Sequence, residues 1–73
     1  MGPMQYTVVI EPADDGSFSV WVPDLPGCTS CGDTRDEALA NIAEAIRGHI
    51  EVLRESGEPV PPSRTTATTV RAA

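Results

Sequence analysis

The stretch from Asp33 to Glu55, DTRDEALANIAEAIRGHIEVLRE, decides the fold class because it carries both a helix start and a helical repeat. Thr34 followed by Glu37 is the pattern of a capping box, and the negative charge of Asp36 suits the first turn of a helix. The apolar positions that recur at the helical period fall on one stripe: Leu39, Ile42, Ala43, Ile46, Ile50 and Leu53. The sequence therefore predicts an amphipathic helix from about Arg35 to Glu55, ended by Ser56-Gly57 and Pro59.

Two short runs upstream of the helix alternate in the manner of β-strands. The run from Gln5 to Glu11 is β-branched and aromatic, and the run from Ser17 to Val22 alternates between apolar and polar residues. Proline, aspartate and glycine between them, from Pro12 to Gly16, are turn residues, so the two runs predict a hairpin. The residues expected to share the core face are Tyr6, Val8 and Ile10 in the first strand and Phe18, Val20 and Val22 in the second.

The rest of the chain completes the predicted order of elements. Pro23 to Gly27 forms a rigid corner in which Pro26-Gly27 favours a type II turn, and Cys28 to Gly32 predicts a short third strand. Thr65 to Val70 is β-branched and predicts a last strand. The resulting order is β-β-β-α-β, an α+β fold in which one helix packs on a mainly antiparallel sheet.

The chain length and the net charge limit the classes of function that the sequence favours. The 73 residues allow one domain, and eleven acidic against five basic residues give a net charge of −6. Such a chain as a whole lacks the basic footprint that nucleic-acid binding usually needs, and it suits a basic protein partner instead. The small core predicts a homo-oligomer, with dimer and tetramer both open. With no apolar run long enough for a membrane span and no signal-peptide pattern, we expect a cytoplasmic protein.

Candidate catalytic and metal-binding residues each have a simpler structural interpretation. Cys28 and Cys31 supply two ligands where structural zinc needs four, and His49 has no partner nearby in sequence that would make it a base. The aspartates that could serve a metal-dependent nuclease mostly fall in turns and at the helix start: Asp14, Asp15, Asp24, Asp33 and Asp36. The sequence therefore predicts no catalytic, cofactor or metal site and a protein that is not an enzyme working alone.

Aromatic residues leave two hypotheses open. Trp21 and Tyr6 could stack on bases, as sheet aromatics do in RNA-binding modules. Trp21 and Phe18 lie on opposite faces of their strand, however, so Trp21 could instead contact a second copy of the chain or another protein.

The segments Val22-Pro23-Asp24-Leu25-Pro26-Gly27-Cys28 and Gly32-Asp33-Thr34-Arg35-Asp36-Glu37-Ala38-Leu39-Ala40-Asn41 resemble the N-terminal domain of the HicB-type antitoxin family. The segment Gly57-Glu58-Pro59-Val60-Pro61-Pro62-Ser63 extends the resemblance, which covers residues 6–63. It implies a partial ribonuclease-H-like fold without catalytic carboxylates. It also implies a partner, a small basic HicA-type toxin that cleaves messenger RNA and that the antitoxin blocks by direct contact.

The resemblance also has a limit at the C-terminal end. Many family members carry a DNA-binding module there, whereas only ten residues follow Ser63 in this sequence. We therefore expect one HicB-like domain over residues 4–70 without a C-terminal DNA-binding domain, so the resemblance does not extend to operator binding. The predicted partner-binding residues are Trp21, Glu44 and Glu51, and the alternative function is a stand-alone RNA-binding or oligomeric regulatory module without a toxin.

Overall fold

A computed structural model describes residues 4–73 and shows three strands followed by one helix. The elements are β1 (Val9–Pro12), β2 (Phe18–Trp21), β3 (Thr29–Gly32) and α1 (Arg35–Glu55). The strands form one antiparallel sheet in the order β1-β2-β3. This α+β arrangement confirms the fold class predicted from the sequence. No helix in the described part of the chain is long and apolar enough to cross a membrane.

The core lies between α1 and one face of the sheet. Its buried members are Val20, Val22, Leu25, Cys28, Ala38 and Ile42. The predicted core-face residues of the hairpin pack against this cluster or belong to it: Tyr6, Val8, Ile10, Phe18, Val20 and Val22. Since side chains alternate along a strand, the intervening residues lie on the face that points away from the helix.

The two ends of α1 are closed by local hydrogen bonds, and both ends confirm the predicted bounds. The Thr34 hydroxyl accepts the backbone N–H of Glu37 at 3.0 Å. The Glu37 carboxylate accepts the N–H of Asp33, one residue before the cap, at 3.1 Å. At the other end Gly57 has φ 73°, and its N–H and that of Glu58 return to the carbonyls of Arg54 and Leu53. This is the Schellman arrangement, which a glycine favours because it needs a positive φ.

The corner between β2 and β3 is folded around a buried leucine. Leu25 is fully buried, and its carbonyl accepts the N–H of Cys28 at 3.0 Å. Gly27 has φ 85° at the third position of this turn. That geometry confirms the predicted type II turn, and it shows that the corner also contributes a side chain to the core.

The last predicted strand, from Thr65 to Val70, is wrong: the sheet of the described residues 4–73 has three strands. A strand is stabilised by a ladder of backbone hydrogen bonds to a neighbour. Here side chains bind the backbone of its first residue instead, because the Thr7 hydroxyl donates to the Thr65 carbonyl and Asp24 accepts the Thr65 N–H. The segment therefore crosses beside the N-terminal residues without joining the sheet.

Candidate partner-binding surface

The face of the sheet that points away from α1 carries Trp21 at the end of its middle strand. Trp21 lies on the middle strand, directly opposite Val9 of β1 and Thr29 of β3. Its neighbours Val20 and Val22 are buried in the core, whereas Trp21 is half-buried on the opposite side. We call the strand residues on this side the outer sheet face: Val9, Glu11, Ser19, Trp21, Thr29 and Cys31.

The hydrogen-bond pattern shows which backbone groups border the outer sheet face. The N–H of Val22 donates to the carbonyl of Cys28 at 3.1 Å. Because bonded pairs alternate along an antiparallel ladder, Trp21 and Thr29 form a non-bonded pair, whose side chains lie closer together. The backbone groups of Thr29 and Cys31 then point outward from the edge of β3. The carbonyl of Cys31 accepts the Asn41 side-chain amide at 2.8 Å, which ties α1 to this edge.

Glu44 and Glu51, the other two predicted contact residues, lie elsewhere. Both are exposed on α1, on the helix face opposite the buried Ile42. The structure therefore does not bring them together with Trp21, because the sheet and the helix layer separate the two surfaces. A partner with one flat contact surface can therefore bind either the sheet face that carries Trp21 or the helix face that carries Glu44 and Glu51, but not both at once.

The helix side also carries a shallow depression of about 460 Å³. Its lining combines apolar and charged side chains: Met4, Arg47, Ile50, Glu51, Arg54 and Glu55. Val52 is an exposed apolar residue on this helix, with 60% of its surface accessible. The charges around the depression are of both signs, so the helix side does not present a single-signed field.

Tyr6 lies on the helix side of the sheet, so Trp21 and Tyr6 do not form one stacking platform. The Tyr6 ring packs against the core, and its hydroxyl donates to the carbonyl of Pro61 at 2.6 Å. Burial raises the pKa of this phenol, and the nearby charge of Asp24 raises it further. Tyr6 is therefore not placed to stack on bases beside Trp21, and only Trp21 remains from the proposed aromatic pair.

Asp24 has a role that the sequence did not indicate. One carboxylate oxygen accepts the backbone N–H groups of Arg64 at 2.7 Å and Thr65 at 2.8 Å. The other oxygen accepts the Thr65 hydroxyl at 2.7 Å. These bonds, led by those from Thr65, hold the pKa of the Asp24 carboxyl below its usual range. No local pattern could have shown this, since the donors follow forty or forty-one residues later in the chain.

The other residues that were considered as catalytic or metal-binding candidates lie in the core, in a turn, on a strand or on the helix. Cys28 is buried in the core just before β3 and Cys31 is exposed on β3, so the two thiols lie on opposite sides of the sheet. Asp15 accepts the N–H and the hydroxyl of Ser17 at 3.0 and 2.6 Å, as a turn residue does. His49 is half-buried on α1. Among the described residues no three His, Cys, Asp or Glu side chains are grouped so that they could hold a metal ion.

Taken together, the fold and its uncovered sheet face are those of a small binding module. The model of the family described as HicB-like antitoxin of bacterial toxin-antitoxin systems matches residues 6–73, and the chain belongs to this family.

Proteins that are similar to this chain in sequence or in structure support the family assignment. A UPF0150 protein of Thermoplasma acidophilum is 48% identical over 69 residues, which are 94% of this chain and 100% of that protein. Antitoxin HicB 1 of Photorhabdus laumondii is 38% identical over 80% of this chain and 37% of its own length. The crystal structure of the N-terminal domain of Burkholderia pseudomallei antitoxin HicB covers 85% of this chain and 69% of that chain, with 42% identity and a TM-score of 0.68.

Proposed function

We propose that this chain neutralises a small basic HicA-type toxin, which cleaves messenger RNA, by direct protein contact in the cytoplasm. Membership of the HicB-like antitoxin family supports the antitoxin role. The net charge of −6 supports a basic partner, because opposite charge accelerates encounter between two proteins. In this proposal the chain acts by covering a surface of the toxin and performs no reaction itself.

The observation that carries the proposal is the position of Trp21. A tryptophan is half-buried at the end of the middle strand on the outer sheet face, on the side that α1 leaves uncovered. Tryptophan is enriched among the residues that dominate binding energy at interfaces. The neighbours Val9, Ser19 and Thr29 are small enough to let a partner approach the indole closely. We therefore assign the toxin contact to the outer sheet face.

Glu44 and Glu51 take a different role in the proposal. They lie on the helix side, behind the contact surface, so they act through their long-range field and not through contact. Charges outside an interface change the association rate and its salt dependence more than the dissociation rate. Replacing both by glutamine is expected to slow association at low salt and to leave the dissociation rate unchanged.

The experiment that tests the assignment is co-purification with a HicA-type toxin, sought among small basic proteins encoded beside this chain. The wild-type chain is expected to retain the toxin on an affinity column, and Trp21→Ala is expected to lose it. Val52→Ala is the matched control, since Val52 is an exposed apolar residue on α1. Equal retention by the Trp21→Ala and wild-type chains would overturn the assignment to the outer sheet face. Loss with Val52→Ala alone would assign the contact to the helix side.

Self-association forms a second part of the proposal. A 73-residue chain with a core of six clustered buried residues has little apolar burial to offset its chain entropy. A dimer or tetramer would add burial, as small scaffolds often require. Light scattering at micromolar concentration is expected to give a mass of two or four chains. A mass of one chain would contradict self-association and would leave the proposed toxin contact unaffected.

A further inference from the structure

Residues 61–65 cross the margin of the sheet from the helix side to the outer side. Pro61 is bound by the hydroxyl of Tyr6, whose ring packs against the core on the helix side. The carbonyl of Thr65 is bound by the hydroxyl of Thr7 at 2.6 Å. Successive side chains of an extended segment point to opposite faces, so Thr7 lies on the outer side. We call residues 61–65 the strap.

The outer end of the strap is held mainly by Asp24. Its carboxylate accepts two backbone N–H groups and one hydroxyl, all within 2.7–2.8 Å. Hydrogen bonds to an ionised carboxylate are shorter and stronger than neutral ones. The Tyr6 and Thr7 bonds, by contrast, are each one neutral hydroxyl on one carbonyl. Asp24 is therefore the contact whose loss would free the strap most.

Beyond the strap, residues 66–73 are all exposed. Val70 has 85% of its surface accessible. Because the strap ends on the outer side at Thr65, this tail leaves the domain on the side that carries Trp21. The position of the strap therefore decides whether the tail stands beside the outer sheet face or moves away from it.

We propose that Asp24 is the latch of a C-terminal strap that carries the tail to the Trp21 side of the sheet, and that loss of its three hydrogen bonds releases residues 61–73 while the domain stays folded. Asp24 is a positioning residue here, since it acts through the strap. The inference goes beyond the proposed antitoxin function and does not depend on it, because the latch is a property of the isolated chain.

Limited trypsin digestion tests the latch, because the chain carries a matched pair of cleavage sites. Arg64 lies in the strap and its N–H is bound to Asp24, whereas Arg71 lies in the exposed tail. When each rate is divided by the rate at the same site in an unfolded peptide of this sequence, cleavage of the wild-type chain after Arg64 is expected to be slower than after Arg71, on the order of tenfold, since proteolysis requires local opening. In Asp24→Ala the two rates are expected to become similar.

Three further measurements make the outcome decisive. Asp14→Ala removes an equal charge from an exposed turn residue and is expected to keep Arg64 protected. Thr65→Val removes only the hydroxyl bond to Asp24 and is expected to give intermediate protection. Helical circular dichroism is expected to stay unchanged in all three variants. Equal cleavage at Arg64 and Arg71 in the wild-type chain would overturn the proposal. Unchanged protection of Arg64 in Asp24→Ala would overturn it as well.

Discussion

Asp24 shows how one side chain can fix the course of a distant segment. Its carboxylate lies in the corner between β2 and β3 and binds the backbone of Arg64 and Thr65. These donors stabilise the ionised form, which is why the pKa of the Asp24 carboxyl lies below its usual range. The charged and titratable groups that influence this contact are the Arg64 guanidinium, which favours the ionised form, and the Tyr6 phenol.

The lowered pKa of Asp24 predicts how the strap responds to pH. A carboxyl whose pKa is depressed by folding contributes stability above its unfolded pKa and loses it as the pH falls through the folded pKa. The strap should therefore remain docked at neutral pH and be released only in acid, below the ordinary carboxyl range. Amide hydrogen exchange at Arg64 and Thr65, corrected for intrinsic rates, measures this directly. Protection that is already lost at pH 6 would contradict the prediction.

The two cysteines predict unequal thiol reactivity. Burial raises the pKa of the Cys28 thiol, and the side chain is only 3% exposed. The thiolate is the reactive form, so Cys28 should react slowly in the folded chain, whereas the exposed Cys31 is open to the reagent. Labelling with a thiol-specific reagent under native conditions should modify one cysteine quickly and the second only on unfolding. Equal labelling rates would show that Cys28 is not buried as described.

Among the elements, the contact between β3 and the start of α1 is the tightest. A Cβ atom added at Gly32 would overlap the backbone nitrogen of Ala38, because the strand end and the first helical turn approach each other closely. Ala38 is itself fully buried. The small residues at both positions therefore let the helix begin directly on the sheet, and the connection between them needs only Asp33 and Thr34.

A pair of glycine substitutions tests this packing. Gly32→Ala is expected to destabilise the domain by about 1–3 kcal/mol, because the backbone must shift to admit the methyl group. Gly48→Ala on the exposed side of α1 meets open space and is expected to stabilise it by about 0.5–1 kcal/mol through helix propensity. Urea unfolding measures both. Similar free energies of unfolding for the two variants would contradict the described approach of β3 and α1.

The helix and the hairpin could be predicted from sequence because their signals are local. Thr34, Glu37 and Gly57 specify the ends of α1, and the predicted bounds agree with the structure. The strands were placed correctly, although β1 begins at Val9 and not near Gln5. The β-branched run after Arg64 was wrong as a strand because propensity alone does not supply a ladder partner. Its backbone is bound by side chains that are distant in sequence, which no local pattern shows.

The candidate site could be predicted only in part. Alternation on β2 placed Trp21 on the face away from the core, and the structure agrees. The separation of Trp21 from Glu44 and Glu51 follows from how α1 packs on the sheet, which composition and periodicity do not specify. The roles of Asp24, Asn41 and Leu25 depend on contacts made by the folded chain, so they were visible only in the structure.

At the scale of the whole molecule, the domain has two unlike sides. The helix side carries side chains of both charges. The outer sheet face carries mostly small side chains around one tryptophan. A sheet with one face covered by a helix leaves its other face available for contact. The strap ends on that same side, so the proposed contact surface and the exposed tail that follows the strap are neighbours in the structure.

Growth rescue tests whether the chain neutralises a toxin by direct contact. A HicA-type toxin, sought among small basic proteins encoded beside this chain, is expressed from an inducible promoter together with the wild-type chain, with Trp21→Ala or with Val52→Ala, and growth is followed after induction. We expect the wild-type and Val52→Ala chains to restore growth and Trp21→Ala to fail, although all three accumulate equally. Growth arrest that persists with abundant wild-type chain would contradict neutralisation by direct contact.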